Sequence, residues 1–321
     1  MRLFSSLLAA VFSLAIAIVT HAASASRVEF DFRNAFLPNL HHFLLDTALS
    51  KGGLEAVVWA SPPEAQELQQ LRQALGYYRS YFAKRDLLFD HEAHAIELTL
   101  ASNDTERDPG KLALPAEQVK AMQLAAPVYT RCLWAEHQRQ NQAWIANARE
   151  LDQRYGAAVQ QEVERILAHD FHRGRYLVEV VARSGHWAGA YTFDDPLTIM
   201  PSATPGYQGL AALEMIYHET SHVGVTDTVS DAIDRLQKAS HRKAAMLWHA
   251  VQFYSVGEAT KQALQRGGQQ YQPYADANHV YERAWPQAIG LIRQHWGAYM
   301  RGERTMEAAL QAIIEGNSPA N

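Results

Sequence analysis

Apolar residues at helical spacing dominate the chain. Pro62-Pro63 opens the segment EAQELQQLRQALGYYRSYF, where Leu68, Leu71, Leu75 and Tyr78 share one face and predict an amphipathic helix. A second helix is expected over RDLLFDHEAHAIELTL, followed by a polar loop at 101–111. From Leu114-Pro115 a long helical pattern runs to about Leu167, with breaks expected near Pro127 and Gly156. Helical spacing returns near the C-terminus in TVSDAIDRLQKAS, KAAMLWHAVQFYSVGEATKQALQ, NHVYERAWPQAIGLIRQHW and TMEAALQAII.

The middle of the chain changes period. RYLVEVVAR (175–183), GAYTF (189–193) and PLTIMPS (196–202) are rich in β-branched and aromatic residues and bounded by Gly, Asp and Pro, which predicts three short strands. ATPGYQG turns out of the last of them into a helix carrying LEMIYHETSH. The order implies an α+β fold, mostly helical, with a small sheet followed by that helix and a C-terminal helical part. The expected organisation is a leader at 1–25, a helical region at 26–170 and a metal-binding region at 171–321, or one continuous domain over 26–321.

The first residues stand apart from this pattern. Met1-Arg2 carries a positive charge, Leu3 to Thr20 is uncharged and mostly apolar, and the small residues of HAASAS follow. That is the layout of a secretory signal peptide, with Ala23-Ser24-Ala25 as the cleavage pattern; an uncleaved anchor is the rival reading. A secreted or periplasmic chain, free of the membrane after cleavage, is expected. With one cysteine, Cys132, no internal disulfide can form, and its setting in YTRCLWAEH predicts a small buried hydrophobe rather than a nucleophile. A net charge of -5 and no basic block argue against nucleic acid as a partner.

The candidate chemistry lies in His218-Glu219-Thr220-Ser221-His222. Residues four apart project from one helix face, so His218 and His222 can share a metal ion. Glu219, one step round, can take a proton from a water bound to that ion. Leu210, Leu213, Met215, Ile216 and Tyr217 make the helix substantially buried, and two histidines and a glutamate on a buried helix need a reason. The bland alternative is a solvated helix face. A hydrolytic site needs a third protein ligand. Glu258, after Gly257 in an apolar helical stretch, is the expected one, against the alternative of an ion pair with a nearby cation.

These residues resemble the gluzincin type of zinc metallopeptidase: an HExxH pair followed, 258 − 222 = 36 residues on, by Gly-Glu on a later helix. ALEMIYHETSH with WHAVQFYSVGEA also resembles secreted bacterial proteins of unassigned function. The gluzincin resemblance implies Zn2+ on His218, His222 and Glu258, with Glu219 as general base. It also implies an edge strand before the motif helix, here PLTIMPS, to which an extended peptide adds. Where that type has an aspartate four residues after the glutamate ligand, this chain has Gln262, so Asp227 or Asp231 is the expected supporting carboxylate.

An oxyanion donor besides the metal is required, and Tyr254 shares the face of Glu258. His249 is the other candidate for a supporting part, although nine positions before Glu258 on a straight helix it faces the opposite way unless Gly257 breaks the helix. Elsewhere DHEAH (90–94) reads as a solvated helix face, His41 and His42 as adjacent residues pointing apart, and Gly185-His186-Trp187 as a hairpin turn. The expected function is a zinc-dependent hydrolase of peptide or protein substrates. A non-catalytic metal-binding protein, a hydrolase of another bond and a metallochaperone are the alternatives.

Overall fold

The sheet takes its shape from side chains that alternate between two apolar cores. The computed structural model describes residues 27–172, 174–184, 189–241 and 246–317. The expected leader and the Gly185-His186-Trp187 turn lie outside the described residues. Four strands, β1 (Glu29–Arg33), β2 (Arg175–Val181), β3 (Tyr191–Thr192) and β4 (Leu197–Pro201), pair in the order β1-β2-β4-β3. β1, β2 and β4 run parallel, and β3 turns back antiparallel on β4.

Before β2 come α1 (Phe36–Leu49), α2 (Ala65–Phe82), α3 (His91–Ala101), α4 (Ala116–Tyr129), α5 (Ala135–Leu151) and α6 (Ala157–Leu167). After β4 come α7 (Ala211–Ser221), α8 (Asp227–Ser240), α9 (Leu247–Arg266), the short α10 (Tyr274–Ala277), α11 (Val280–Ala284), α12 (Ile289–Leu291) and α13 (Gly297–Met300), and finally α14 (Met306–Gly316). The fold is α+β with a helical majority, as the alternation of periods implies. No described helix is long and apolar enough to cross a membrane.

Strand periodicity places Tyr176, Val178 and Val180 of β2 in one core and Val181 in the other. Met200 of β4 joins the first, with α5 to α9, whereas Leu197 and Ile199 join the second, with α1 to α4. A sheet covered on both faces reads as continuous hydrophobic strands, and all five residues of β4 are buried. Cys132 is buried in the second core, as its setting predicts.

Several expectations are corrected. β1 and α1 were not anticipated, although Val28-Glu29-Phe30-Asp31-Phe32 alternates like a strand. Because β1 pairs with β2, the sheet joins residues on either side of position 170. PLTIMPS is not the edge strand, since β3 caps the outer side of β4. The helix expected from Arg85 begins at His91, because Asp90 caps it by accepting from the Glu92 and Ala93 backbone N–H groups. The long helix to Leu167 is continuous, with π turns at Thr130–Trp134 and Asp152–Gly156 where breaks were expected. The helix expected across 278–296 is split at Trp285-Pro286, since a residue before proline is pushed out of helical geometry.

Candidate metal centre

Two helices bring three histidines together. α7 is buried from Ala212 to Ser221, and His222 caps it while still in helical geometry, so His218 and His222 project from one face with ring centroids 5.1 Å apart. α9 packs against α7 and carries His249, whose Nε2 lies 3.3 Å from His218 Nε2. One nitrogen from each of the three rings lies within 4.8 Å of the others, an arrangement that could hold a metal ion. Ligands about 2.0–2.1 Å from a tetrahedral ion stand about 3.3 Å from one another, which matches the His218–His249 separation.

The surroundings keep these rings neutral and aligned. Burial, reinforced by the neighbouring imidazoles, holds His218 well below the ordinary histidine range. The same causes bring His222 down to about 3, and burial brings His249 down to about 4. Each therefore offers a lone pair at neutral pH. Gln252 donates to the His218 carbonyl at 2.9 Å and to Ser221 Oγ at 2.8 Å, tying α9 to α7 one turn from His249. Phe253 stacks on His218 at 3.8 Å, Trp248 stacks on His249 at 5.1 Å, and Trp285 meets His249 edge-on at 5.6 Å. His218 is fully buried, whereas His222 and His249 are half-buried, so the cluster is reached from their side.

Glu219 is buried, with no cation beside it among the described residues. Its Oε2 accepts from Thr192 Oγ1 at 3.1 Å, and Thr192 Oγ1 is itself 3.0 Å from Thr198 Oγ1. Burial pushes the carboxyl up to about 8, against the stabilising Thr192 hydroxyl.

The remaining expected residues lie elsewhere. α9 runs unbroken through Gly257, so Glu258, nine positions after His249, faces the opposite side of the helix. There Lys261 Nζ takes both its oxygens, at 3.0 and 3.3 Å. Glu258 is thus not the third member of the cluster; His249, expected only in a supporting part, is. Gly257 has a different reason to be glycine: an added Cβ would lie 2.9 Å from Pro273 Cβ and 3.2 Å from Glu214 Oε1. Glu214 accepts from Tyr271 Oη at 2.7 Å and from the Tyr274 N–H at 3.0 Å, and burial pushes it up to about 7.

Tyr254 shares the far face with Glu258, and its hydroxyl lies against Gly297 of α13. It is therefore remote from the cluster and unsuited as an oxyanion donor. Asp227 and Asp231 are exposed at the start of α8 and touch none of the three histidines among the described contacts. Thr192, Gln252 and Phe253 were not anticipated. Gln252 and Phe253 stand three and four positions after His249, so the phase of α9 already placed them on its face. Compared with known proteins, the chain matches no family model, no curated protein and no solved structure.

Proposed function

We propose that this chain is a secreted or periplasmic zinc-dependent hydrolase, a metallopeptidase in which His218, His222 and His249 hold Zn2+ and Glu219 is the general base. The observation that carries the reading is the convergence of three neutral imidazoles within 4.8 Å, next in sequence to a buried carboxyl with no cation beside it among the described residues. A bound zinc ion would lower the pKa of a water molecule toward neutrality and polarise a substrate carbonyl. Three imidazoles suit zinc and leave a fourth position for water or substrate.

Glu219 then takes the proton of the attacking water and delivers it to the leaving group. Its high proton affinity fits that task, and a nearby cation would draw it back toward the ionised form before reaction. Thr192, by donating to Oε2, fixes one carboxyl oxygen and leaves Oε1 to face the water. Phe253 covers the buried His218 ring, and Trp248 and Trp285 pack on His249 beside the approach to the cluster, limiting bulk water there. Peptide is the proposed substrate because β3 ends the sheet next to Glu219, where an extended chain can add a strand. The pattern at 1–25 supports export.

The test is the zinc content of purified protein, followed by a peptide-library screen of wild type and Glu219→Gln. One zinc per chain and hydrolysis abolished in the variant, with zinc retained, are the expected results. A chain that takes up no zinc on reconstitution would remove the enzyme reading. Zinc without any hydrolysis by the wild type would leave a metal-binding protein.

A further inference from the structure

We infer that Tyr191, backed by the buried carboxylate of Glu97, is a positioning residue for Glu219 and acts through strand β3. The inference rests on the reading of Glu219 as general base. β3 has two residues, and each ends on a buried carboxylate in a different core. Tyr191 Oη donates to Glu97 Oε1 at 3.2 Å on one face, and Thr192 Oγ1 donates to Glu219 Oε2 at 3.1 Å on the other.

Glu97 is itself tightly held. His41 Nε2 and His42 Nε2, both from α1, lie 3.2 and 3.3 Å from its two oxygens, and all three side chains are buried. The Gln118 amide donates to His41 Nδ1 at 3.1 Å, so His41 Nε2 carries the proton that faces Glu97. Against the upward push of burial, His42 and His41 hold the Glu97 carboxyl well below the usual range, and Tyr191 adds a further donor to the anion.

A two-residue edge strand does not fix its own position. β3 is paired to β4 at Tyr191–Ile199 and Thr192–Thr198, the Phe193 N–H donates to the Leu197 carbonyl at 3.0 Å, and Ala190 is tethered through its N–H to Tyr207 Oη at 3.1 Å. Thr192 is β-branched, with few χ1 rotamers, so a shift of its backbone moves its hydroxyl directly. A general base displaced by a fraction of an ångström loses much of its effect. Tyr191 therefore sets where Thr192 stands, and Thr192 sets where the Glu219 oxygen points.

The experiment compares the full chain as wild type, Tyr191→Phe, Thr192→Val, Thr192→Ser and the Tyr191→Phe/Thr192→Val double variant. Tyr191→Phe keeps the ring in the core, so the fold is retained. On metal-free protein, at a pH where the infrared carbonyl band that Glu219→Gln removes is seen, that band reports the hydrogen bond to the carboxyl. Thr192→Val is expected to move it to higher frequency, Tyr191→Phe to move it the same way, and the double variant to add nothing to Thr192→Val. With zinc loaded, Tyr191→Phe is expected to lower kcat roughly tenfold at unchanged KM and zinc affinity. Thr192→Ser, which keeps the hydroxyl, should recover most of what Thr192→Val loses, and the two losses should not add. An unchanged band and kcat in Tyr191→Phe, or additive losses in the double variant, would overturn the inference. A wild type without hydrolysis would overturn the proposed function alone, and the infrared series would still decide whether Tyr191 positions Glu219.

Discussion

Two histidine clusters lie in the two cores, and they differ in where the nearest glutamate goes. Around His41 and His42, Glu97 sits between the rings, its two oxygens 3.2 and 3.3 Å from the two Nε2 atoms. Around His218, His222 and His249, Glu219 bonds Thr192 instead, and two ring nitrogens face each other at 3.3 Å. Buried polar groups seek partners, and a carboxylate set between imidazoles gives them one. Imidazoles facing only one another form the arrangement that a cation completes. What sets the chemistry of the two clusters apart is the orientation of one carboxylate.

The largest expected effect that sharpens this contrast is on metal affinity. His249→Ala should weaken zinc binding by at least about a hundredfold, since losing a direct ligand exceeds the tenfold to hundredfold seen when a ligand's supporting partner is lost. His42→Ala should leave zinc affinity unchanged. That variant should instead destabilise the fold by about 3 kcal/mol, read by chemical denaturation, because it strips a partner from a buried charge.

Next in size is a pH effect in the sheet. Glu179 of β2 is buried and accepts from the Ala35 N–H at 2.8 Å, and burial pushes it up to about 8. A carboxyl raised on folding contributes stability that is fully present below the unfolded carboxylate range and is lost as pH rises through about 8. Glu179→Gln should therefore flatten the fall in stability between about pH 5 and 8, as followed by denaturant midpoints. A fall of the same slope in the variant would assign the effect to other groups.

Smaller again is Gly257→Ala. The new Cβ would meet Pro273 Cβ at 2.9 Å, and the overpacking should outweigh the gain in helix propensity, leaving about 1 kcal/mol of destabilisation in a thermal melt. The smallest effect is expected from Glu258→Gln. Its ion pair with Lys261 is half-exposed, so stability should change by less than about 1 kcal/mol and zinc affinity by nothing measurable.

Period and phase explain how much of this was legible. The switch from helical to alternating spacing located β2, β3 and β4 and the helix that follows, because a two-sided sheet concentrates β-branched residues. β1 was hidden by its closeness to the apolar segment at 3–20, although its alternation is plain once its partner β2 is known. His218, Glu219 and His222 could be read from helix geometry alone. The third position was misplaced because a charged residue beside a glycine in an apolar helix looked unaccounted for. Lys261, one turn on, accounts for Glu258, and the Pro273 contact accounts for Gly257.

His41 and His42 illustrate a limit of another kind. Adjacent helix positions do point apart by about 100°, as the geometry of the helix requires. A third residue from α3 brings their nitrogens onto one carboxylate, and no local spacing reveals that partner. Thr192 is invisible for the same reason: its importance comes from the tertiary position of a two-residue strand, whereas sequence periodicity reports only that a strand is there.

The most direct measurement is the zinc dissociation constant of His249→Ala beside that of Glu258→Ala, by competition with a chromophoric chelator. A loss of at least about a hundredfold in His249→Ala, with Glu258→Ala binding like wild type, is expected if the three imidazoles hold the ion. The reverse order, with affinity lost in Glu258→Ala and kept in His249→Ala, would contradict a three-histidine centre and restore the glutamate as third ligand.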